Sequence, residues 1–394
     1  MAASSSTPPL RVALIGHSFM GQVHSHGWRN AAAAFDLPLA PEMKLLVGRD
    51  EGRVSKAARR LGWAECATDY RAVLERDDID VIDICTPGDT HAEIAIAALA
   101  AGKHVLIEKP MANTLAEAER MALAAAEASS RGVRSMVGFT NRRVPAVALG
   151  RRLIEQGRIG TIRHVRGFYF QDWIADADVP LSWRLDKSRA GSGALGDIGA
   201  HAVDLAMYWT GDRISEVVSS LKTFVTERPL AGDHDGLTFS AGSEGTGPVT
   251  VDDSASFLAH FEGGAEGFFQ ATRFAAGRKN ALRVEVNGTK GSLAFDLEDY
   301  NILEFSDFTE DSDIAGFHRI HCTEATHPYA GNWWPAGHSL GFDAGFSNEI
   351  ADFVRAVSRD EDPRPSFAEG LAVQRVLDAV EKSAESRSWE SITY

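Results

Sequence analysis

The sequence has few of the features that mark secreted, membrane-spanning or nucleic-acid-binding proteins. It contains only 3 cysteines among 394 residues and no Cys-x-x-Cys pair, so no disulfide framework is indicated and we expect a reduced, cytoplasmic compartment. The small, polar N-terminus has no apolar core of a signal peptide, and no apolar run is long enough to span a bilayer. Acidic residues outnumber basic ones by 55 to 40, and the net charge of -15 argues against nucleic acid or an anionic membrane as a partner.

The first part of the chain alternates strand-like and helix-like patterns with short connections. Its composition, 44% hydrophobic and 24% charged, is typical of a globular protein, and its length suffices for two domains. We therefore predict a doubly wound parallel sheet of the Rossmann type in an α/β domain over residues 8–140. Its buried strands are expected at residues 10–15, 43–47, 79–85, 104–110 and 134–139.

A glycine turn follows the first predicted strand and precedes a helical stretch. This context favours binding of a dinucleotide pyrophosphate at the helix N-terminus, although an ordinary turn between strand and helix has the same outline. Gly16 permits a tight turn and Gly21 permits close packing, whereas Ser18 stands where the fingerprint has its second glycine. We predict cofactor contacts at Gly16, Ser18, Phe19, Met20 and Gly21.

The end of the second strand bears on the choice of cofactor. An acid at this place binds the ribose hydroxyls of NAD, whereas an arginine accommodates the 2′-phosphate of NADP. The sequence has Gly48, then Arg49 and Asp50. Both charged residues are predicted to contact the cofactor, which is NAD or NADP, and Arg49 inclines the choice slightly to NADP.

Two further strands end at the same edge of the predicted sheet, where open α/β folds bind their ligands. One runs into a loop with Thr86, Pro87 and His91, which we predict to contact the cofactor. The other ends in Glu108 and Lys109 before a proline, which cannot extend the ladder. We predict cofactor contacts for both and place Lys109 between cofactor and substrate; a surface ion pair is the alternative.

The second part of the chain predicts an α/β domain over residues 141–394 with a large, mostly antiparallel mixed sheet. Its alternating strand patterns are not separated by regular crossover helices. Amphipathic helices at residues 342–358 and 367–386 are expected to close this domain. Residues 231–247 predict a surface loop. The strands are expected at residues 164–173, 217–226, 250–261, 266–274, 282–286 and 292–295.

A glycine-rich stretch at residues 191–201 introduces Asp197 and His201, which are four residues apart. On one helical face, a carboxylate and an imidazole make a plausible acid–base pair, because the carboxylate orients the ring that exchanges the proton. A surface pair or half of a metal site are the alternatives. No third ligand stands at a suitable spacing, so we predict no metal.

Aromatic and polar residues elsewhere suggest a carbohydrate pocket. Rings stack on the C–H faces of sugars, and polar side chains bond hydroxyl groups. Tyr169 and Gln171 lie on an alternating strand, Arg184 follows in a polar loop, and Trp333 and His338 lie in an irregular stretch rich in aromatic residues and histidine. All five are predicted to bind substrate; the alternative for Trp333 is that it only anchors its loop.

The order of the glycine turn, TP-x-x-x-H, EKP and G-x-L-x-D-x-G-x-H resembles the Gfo/Idh/MocA family, named for glucose–fructose oxidoreductase, inositol dehydrogenase and a rhizopine catabolism protein. The resemblance implies a nicotinamide-dependent dehydrogenase of sugars, inositols or related polyols. It implies that Lys109 lies beside the nicotinamide and the reacting carbon, that Asp197 and His201 are catalytic, and that Asn141 contacts substrate. The alternative for Asn141 is a helix cap. It also implies homodimers or homotetramers built through the C-terminal sheet.

The predicted activity is therefore NAD(P)-dependent hydride transfer at a secondary alcohol or ketone of a carbohydrate-like substrate. In the oxidative direction His201 takes the hydroxyl proton, Asp197 orients His201, and Lys109 polarises the substrate oxygen, which predicts a site in the interdomain cleft. Two alternatives stay open: a glycoside hydrolase that retains its NAD, and a non-catalytic cofactor-binding sensor. A sensor would be expected to lack these three residues.

Overall fold

The computed structural model of the chain describes residues 8–230, 234–235, 238–239 and 245–394. The predicted surface loop at residues 231–247 lies largely outside these residues. The helices are α1 (Phe19–Ala34), α2 (Glu51–Leu61), α3 (Tyr70–Leu74), α4 (His91–Ala100), α5 (Leu115–Ser129), α6 (Pro145–Glu155), α7 (Lys187–Ala190), a π-helix (Leu195–Gly199), α8 (Ala200–Thr210), α9 (Phe342–Arg359) and α10 (Phe367–Ser386).

The strands are numbered in chain order. Six belong to the first sheet: β1 (Pro9–Ile15), β2 (Ala40–Val47), β3 (Glu65–Ala67), β4 (Val81–Ile84), β5 (His104–Glu108) and β6 (Ser135–Gly138). The remainder are β7 (Ile162–Phe170), β8 (Ile214–Lys222), β9 (Glu227–Pro229), β10 (His234–Asp235), β11 (Thr238–Phe239), β12 (Thr246–Pro248), β13 (Ser254–Phe261), β14 (Glu266–Thr272), β15 (Ala281–Gly288), β16 (Gly291–Asp296), β17 (Ile302–Asp307), β18 (His318–His321) and β19 (Glu390–Ser391).

The chain divides into two compact units. The division into functional domains at residues 8–140 and 141–394 stays a prediction, because compactness does not assign function. Unit 1 comprises Met1–Ala112, Ala116–Thr140 and Phe342–Leu371, and unit 2 comprises Asn113–Leu115, Asn141–Gly341 and Ala372–Tyr394.

Unit 1 contains the predicted Rossmann sheet. Its six strands run in the order β3-β2-β1-β4-β5-β6, and every pair is parallel. Both faces of such a sheet are covered, which explains the apolar runs that predicted its strands. The strand order reverses between β1 and β4, the place where folds of this type bind their ligands. The loops after β1, β4 and β5 therefore begin at neighbouring strand ends.

Helix α9 belongs to unit 1, although the sequence placed it in the second domain. Its residues Ile350, Phe353 and Val354 lie in the same buried core as Trp28 of α1, and the Trp28 and Phe353 rings meet edge to face at 6.4 Å. Gly27 makes room for this contact, since a Cβ there would lie 2.8 Å from Ile350. An amphipathic pattern identifies an apolar face but not the core that receives it, so the sequence could not tell which compact unit α9 joins.

Unit 2 is built on a nine-stranded sheet in the order β18-β17-β16-β15-β7-β14-β13-β8-β19. Only the pairing of β7 with β14 is parallel, so the prediction of a mostly antiparallel mixed sheet is confirmed. Strand β7 is antiparallel to β15 and parallel to β14. Alternation along a strand reports a half-buried face and carries no information on the direction of its neighbours.

The two faces of this sheet differ. On one face, Gly167 of β7 brings the sheet close to α8, because a Cβ at Gly167 would lie 3.3 Å from Ala202. The opposite face carries Phe168, Phe268 and Leu258, and the last two are 40% and 48% exposed. No helix in the described residues is both long enough and apolar enough to cross a membrane.

Candidate active site

The predicted glycine turn is sterically specified. Gly16 has a φ of +100°, and a Cβ there would lie 2.6 Å from the Cys85 carbonyl oxygen. A Cβ at Gly21 would lie only 2.0 Å from the Gly16 oxygen. Ser18 precedes α1, is exposed and makes no side-chain cap with the helix. The turn therefore presents the first backbone N–H groups of α1 beside an uncommitted hydroxyl, which suits an anionic pyrophosphate.

Phe19 and Met20, the first residues of α1, continue this turn. Phe19 is exposed and its ring stacks on Phe342 at 6.5 Å between centroids, whereas Met20 packs at the margin of the unit 1 core. Their predicted contacts with the cofactor stay predictions.

The end of β2 holds Gly48, Arg49 and Asp50. Gly48 packs against the ring of His17, since a Cβ at Gly48 would lie 2.4 Å from that ring. Arg49 is exposed. The Asp50 carboxylate accepts a hydrogen bond of 2.7 Å from the Arg53 backbone and so caps α2, which is a structural role alongside the predicted cofactor role.

The loop after β4 is fixed by hydrogen bonds of its own. Thr90 donates its hydroxyl to Thr86 at 2.7 Å and lies 2.8 Å from the Pro87 oxygen. The buried ring of His91 has Nδ1 3.0 Å from the Pro110 oxygen and Nε2 2.9 Å from the Thr86 oxygen. Burial lowers the pKa of His91, so the ring is neutral near pH 7. Both ring nitrogens of His91 thus face backbone carbonyls rather than a cofactor-facing surface.

Glu108 ends β5 and Lys109 follows it, and the two side chains lie in different surroundings. Lys109 is partly exposed, whereas the Glu108 carboxylate is buried and points at His24, with 2.9 Å between Oε1 and Nε2. The other Glu108 oxygen accepts the backbone N–H of Lys109 at 3.1 Å. The structure thus places the Glu108 carboxylate in the interior of unit 1, and His24 and its partner Asp83 are residues that the sequence analysis missed.

In unit 2, the stretch with Asp197 begins as a π-helix and continues as α8, which departs from the uninterrupted helix expected. Asp252 fixes its start, since the two carboxylate oxygens accept the backbone N–H groups of Gly193 at 2.6 Å and Leu195 at 2.8 Å. A Cβ at Gly193 would lie 1.7 Å from the Asp252 backbone oxygen, which explains the glycine. π-Turns are rare and frequently accompany functional sites.

Asp197 and His201 each have a defined polar neighbour. The Asp197 carboxylate lies 3.3 Å from the guanidinium of Arg273, which is fully buried and stands over the Trp173 ring. His201 has its Nδ1 3.2 Å from the Asn141 side-chain amide. Arg273 and Asp252 were missed because a charged residue at the end of an apolar strand normally indicates an exposed strand end.

The predicted substrate residues Tyr169 and Gln171 join this cluster. The Tyr169 ring lies 5.8 Å from that of His201, and its hydroxyl donates to Asn280 at 2.7 Å. Gln171 donates to the same Asn280 oxygen at 2.7 Å. Burial raises the pKa of Tyr169 well above its usual value, so the phenol stays protonated and donates. Asn280 was not predicted.

Three other predicted substrate residues have looser surroundings. Arg184 stands 4.5 Å from the centre of the Trp183 ring, and burial lowers the pKa of its guanidinium against the attraction of Asp197. Trp333 is half-buried in its loop. His338 is exposed, with Nδ1 2.8 Å from the Pro335 oxygen of the same turn, so the structure places it on a surface loop.

One group of potential metal ligands occurs among the described residues, formed by His24, Asp83 and Cys85. It does not suit a metal ion. Both ring nitrogens of His24 lie at hydrogen-bonding distance from carboxylates, and burial raises the pKa of the Cys85 thiol far above its usual value, which disfavours the thiolate that metals bind.

Comparisons with known proteins agree with this arrangement. The sequence model of an oxidoreductase family with an NAD-binding Rossmann fold matches residues 10–139, and that of the GFO/IDH/MocA C-terminal domain matches residues 147–294. Levoglucosan dehydrogenase from Pseudarthrobacter phenanthrenivorans is 41% identical over 388 residues, which cover 97% of this chain and 98% of that protein.

Solved structures give the same result. An oxidoreductase domain protein from Kribbella flavida shares 60% sequence identity with a TM-score of 0.94, over 98% of this chain and 100% of that chain. Levoglucosan dehydrogenase in complex with NADH and levoglucosan shares 39% with a TM-score of 0.91, over 98% of this chain and 100% of that chain. The predicted fold class and enzyme class, a nicotinamide-dependent oxidoreductase acting on CH–OH groups, are thereby confirmed. The chain belongs to the GFO/IDH/MocA family of oxidoreductases.

Proposed function

We propose that the protein oxidises a secondary hydroxyl of an anhydrosugar such as levoglucosan and uses NAD as the hydride acceptor. The observation that carries the proposal is the ordered cluster at His201, where Asn141 holds one ring nitrogen and Tyr169 lies beside the ring. Such a cluster suits proton exchange with a sugar hydroxyl. The similarity to levoglucosan dehydrogenase over 97% of the chain supports the choice of substrate class.

In this proposal the reaction divides among three residues. His201 takes the hydroxyl proton at Nε2 while hydride leaves the same carbon, which becomes a ketone. Asp197 is oriented by Arg273 and supports the imidazolium that forms. Lys109 donates a hydrogen bond to the substrate oxygen. The nicotinamide, when bound, supplies the hydride acceptor.

Asn141 fits this assignment because an amide can present either oxygen or nitrogen to Nδ1. When its oxygen faces the ring, it accepts a hydrogen bond from Nδ1–H both before and after Nε2 takes the proton. We assign this orientation to the oxidative direction. Asn141 then acts on His201, in addition to the substrate contact that the sequence predicts.

Substrate contacts are proposed at Tyr169, Gln171, Arg184, Trp333 and His338. Arg184 supports a polar, oxygen-rich ligand, because no group among the residues that the structure describes accepts a hydrogen bond from its planar set of donors. A neutral sugar would receive these donors at its hydroxyl and ring oxygens.

The decisive measurement is the initial rate of nicotinamide reduction with NAD⁺ and NADP⁺, each tested against anhydrosugars, inositols, aldoses and glycosides. We expect the highest kcat/KM with an anhydrosugar and NAD⁺. Higher activity on an inositol would overturn the substrate class and leave the enzyme class. Glycoside cleavage without net consumption of cofactor would support the hydrolase, and bound cofactor without turnover would support the sensor.

Two variants test the assigned roles. Lys109→Ala and His201→Ala should each abolish turnover while NADH binding, followed by its fluorescence, survives. Loss of NADH binding in both variants with the fold intact would contradict these roles. Turnover that persists in one of them would remove that residue from the mechanism.

Two features bear on the choice between NAD and NADP, and they favour different cofactors. NADH is bound in the levoglucosan dehydrogenase complex, which supports NAD. The exposed Arg49 supports the slight preference for NADP that the sequence predicts. We propose NAD as the cofactor, with the Asp50 carboxylate discriminating against a 2′-phosphate by charge repulsion.

We also propose a homodimer or homotetramer that assembles through the open face of the unit 2 sheet. Phe168, Phe268 and Leu258 form an aromatic and aliphatic centre on this face, and the rings of the two phenylalanines lie 5.7 Å apart. Contiguous exposed apolar side chains of this kind favour association. We place the protein in the cytoplasm because its three cysteines are free thiols.

A further inference from the structure

A fully buried imidazole lies between two carboxylates in unit 1. His24, on α1, has Nδ1 2.9 Å from Asp83 Oδ2 and Nε2 2.9 Å from Glu108 Oε1. Trp28 completes the set by donating its indole N–H to Asp83 at 2.7 Å. Asp83 lies on β4 and Glu108 ends β5, so His24 connects a helix to two neighbouring strands.

The charge of His24 follows from these contacts. Burial alone would lower its pKa, but the Asp83 carboxylate, Cys85 and the hydrogen bond to Asp83 raise it well above the usual value. The ring is therefore an imidazolium, and each of its N–H groups donates to a carboxylate. Both carboxylates are thus held in a single orientation.

The hydrogen bonds of His24 also affect Lys109, because Glu108 bonds the Lys109 backbone. With Oε1 of Glu108 held by His24, Oε2 accepts the Lys109 N–H at 3.1 Å. On the other side of Lys109, the carbonyl of Pro110 lies 3.0 Å from Nδ1 of His91. His91 is buried and neutral, so its ring has a single N–H, which we assign to Nδ1 as the donor to Pro110; its second nitrogen lies 2.9 Å from the Thr86 oxygen. Two buried histidines therefore fix the backbone before and after Lys109.

We propose that His24 and His91 are positioning residues that hold the turn at Lys109, so that its ammonium group is presented in one orientation. Neither ring touches the reacting atoms; each acts through the backbone next to Lys109. The inference rests on the catalytic role proposed for Lys109. Its physical basis is that a catalytic group displaced by about 1 Å can lose on the order of 100-fold in rate.

His24→Gln is the principal test, because glutamine can donate to only one of the two carboxylates. Hydrogen–deuterium exchange of a peptide spanning the Lys109 turn gives a readout that does not depend on activity. We expect faster exchange in this peptide and a fall in kcat of about 10- to 100-fold, with the affinity for NADH nearly unchanged. His91→Gln should likewise speed exchange in this peptide and lower kcat, from the other side of Lys109.

Lys103→Met is the matched control. Lys103 is also buried in unit 1, where its ammonium group donates to the carbonyls of Arg76 and Ile79, before β4. Its loss should destabilise unit 1. Exchange at the Lys109 turn and the value of kcat should both stay as in the wild type. If His24→Gln and Lys103→Met change exchange at this peptide equally, His24 is only a stabilising residue and the proposal fails.

The double variant His24→Gln/Lys109→Ala separates this proposal from the assigned role of Lys109. Because Lys109→Ala alone should abolish turnover, the double variant is compared by exchange: the turn should exchange as fast as in His24→Gln, since His24 acts on the backbone and not on the Lys109 side chain. Full activity of Lys109→Ala would overturn the role of Lys109, whereas selective exchange in His24→Gln would still establish the positioning of the turn. If His24→Gln does not fold, Glu108→Gln gives the same test, because it removes the carboxylate that receives both the His24 ring and the Lys109 N–H. Unchanged exchange in Glu108→Gln and His91→Gln would overturn the proposal.

Discussion

At the scale of single residues, unit 2 depends on charges that are buried together. Arg142 and Asp204 are both almost fully buried, with 2.6 Å between Nη2 and Oδ1, and the guanidinium stands 4.9 Å from the centre of the Tyr208 ring. Breaking such a pair leaves one uncompensated charge in the interior, which is the costly event. Asp204 lies one helical turn beyond His201 on α8, so this pair also fixes the helix that carries the proposed base.

Arg142→Met should therefore lower the free energy of unfolding by about 3–5 kcal/mol, measured by chemical denaturation. The double variant Arg142→Met/Asp204→Leu should recover much of this loss, since the two opposite charges are removed together. If the double variant is less stable than the wild type by the sum of the losses in Arg142→Met and Asp204→Leu, the pair does not act as a unit.

Asn141 allows a test of the ring orientation at His201. Asn141→Asp keeps an acceptor for Nδ1–H, whereas Asn141→Leu removes it. We expect the aspartate variant to retain much more of kcat than the leucine variant, and its acidic limb of activity to move to higher pH because the carboxylate stabilises the imidazolium. Equal losses in the two variants would show that Asn141 does not orient the ring.

The two buried histidines predict opposite pH dependences. The pKa of His24 is raised in the folded state, so its stabilisation is complete below the unfolded value of about 6.5 and is lost as pH rises through the folded pKa. The pKa of His91 is lowered, so its stabilisation is present above about pH 6.5 and is lost as pH falls through the folded pKa. The difference in melting temperature between the wild type and His24→Gln should become smaller as the pH rises. The difference between the wild type and His91→Gln should become smaller as the pH falls. The same sign for both would contradict the assigned charge states.

Single residues with a motif around them could be predicted, and their partners could not. Lys109, Asp197 and His201 stand in recognisable patterns, whereas Arg273, Asn280 and Asp252 come together only when distant strands pair. His24 had a local signal, because Gly21, His24 and Trp28 are spaced at helical intervals and all face the core. Periodicity identifies such an inward position but does not show that its imidazole meets two carboxylates.

At the scale of elements, α2 starts at a residue with two proposed tasks. The Asp50 carboxylate caps the helix, and the same charge is proposed to select NAD. Asp50→Asn keeps the cap and removes the charge, so it should leave the melting temperature nearly unchanged while raising kcat/KM for NADP⁺ relative to NAD⁺. Asp50→Ala should do the same to the cofactor ratio and also cost about 0.5–2 kcal/mol of stability.

The control for this prediction is another helix cap of unit 1. Asp69 caps α3 by accepting the Arg71 backbone N–H at 2.9 Å. Asp69→Ala should lower stability and leave the cofactor ratio unchanged. An unchanged ratio in Asp50→Asn would restrict Asp50 to its structural role.

Elements were predicted best where one rule applies along a whole segment. Helices α9 and α10 begin and end within one residue of the bounds expected from sequence. Five of the six strands of the parallel sheet were found because both faces must be apolar, whereas the short strand β3 was not predicted. The π-helix was not expected, because its extra residue per turn depends on Asp252 holding the backbone of Gly193 and Leu195 from another part of the chain. Strand β18 was missed because its histidine-rich sequence lacks an apolar alternation.

At the scale of the whole molecule, the proposed oligomer depends on the open face of the unit 2 sheet, through which two copies would associate. The aromatic centre there is only partly covered within one chain, and it continues into polar side chains along the neighbouring strands, as a protein–protein contact with a polar rim would. Phe268 lies in the middle of this face, with its ring against Phe168.

Phe268→Glu should dissociate the oligomer, because it places a charge at the centre of the buried patch, opposite its own copy in a symmetric contact. Sedimentation or light scattering should show a smaller mass at the same protein concentration, while the circular dichroism spectrum stays that of the wild type. Phe308→Glu is the matched control, since Phe308 is also an exposed phenylalanine of unit 2 but follows β17 near the edge of the sheet. If Phe308→Glu dissociates the assembly and Phe268→Glu does not, the copies meet at the sheet edge instead of its face. If the wild type is already a monomer, the open face serves another purpose and the proposed assembly is wrong.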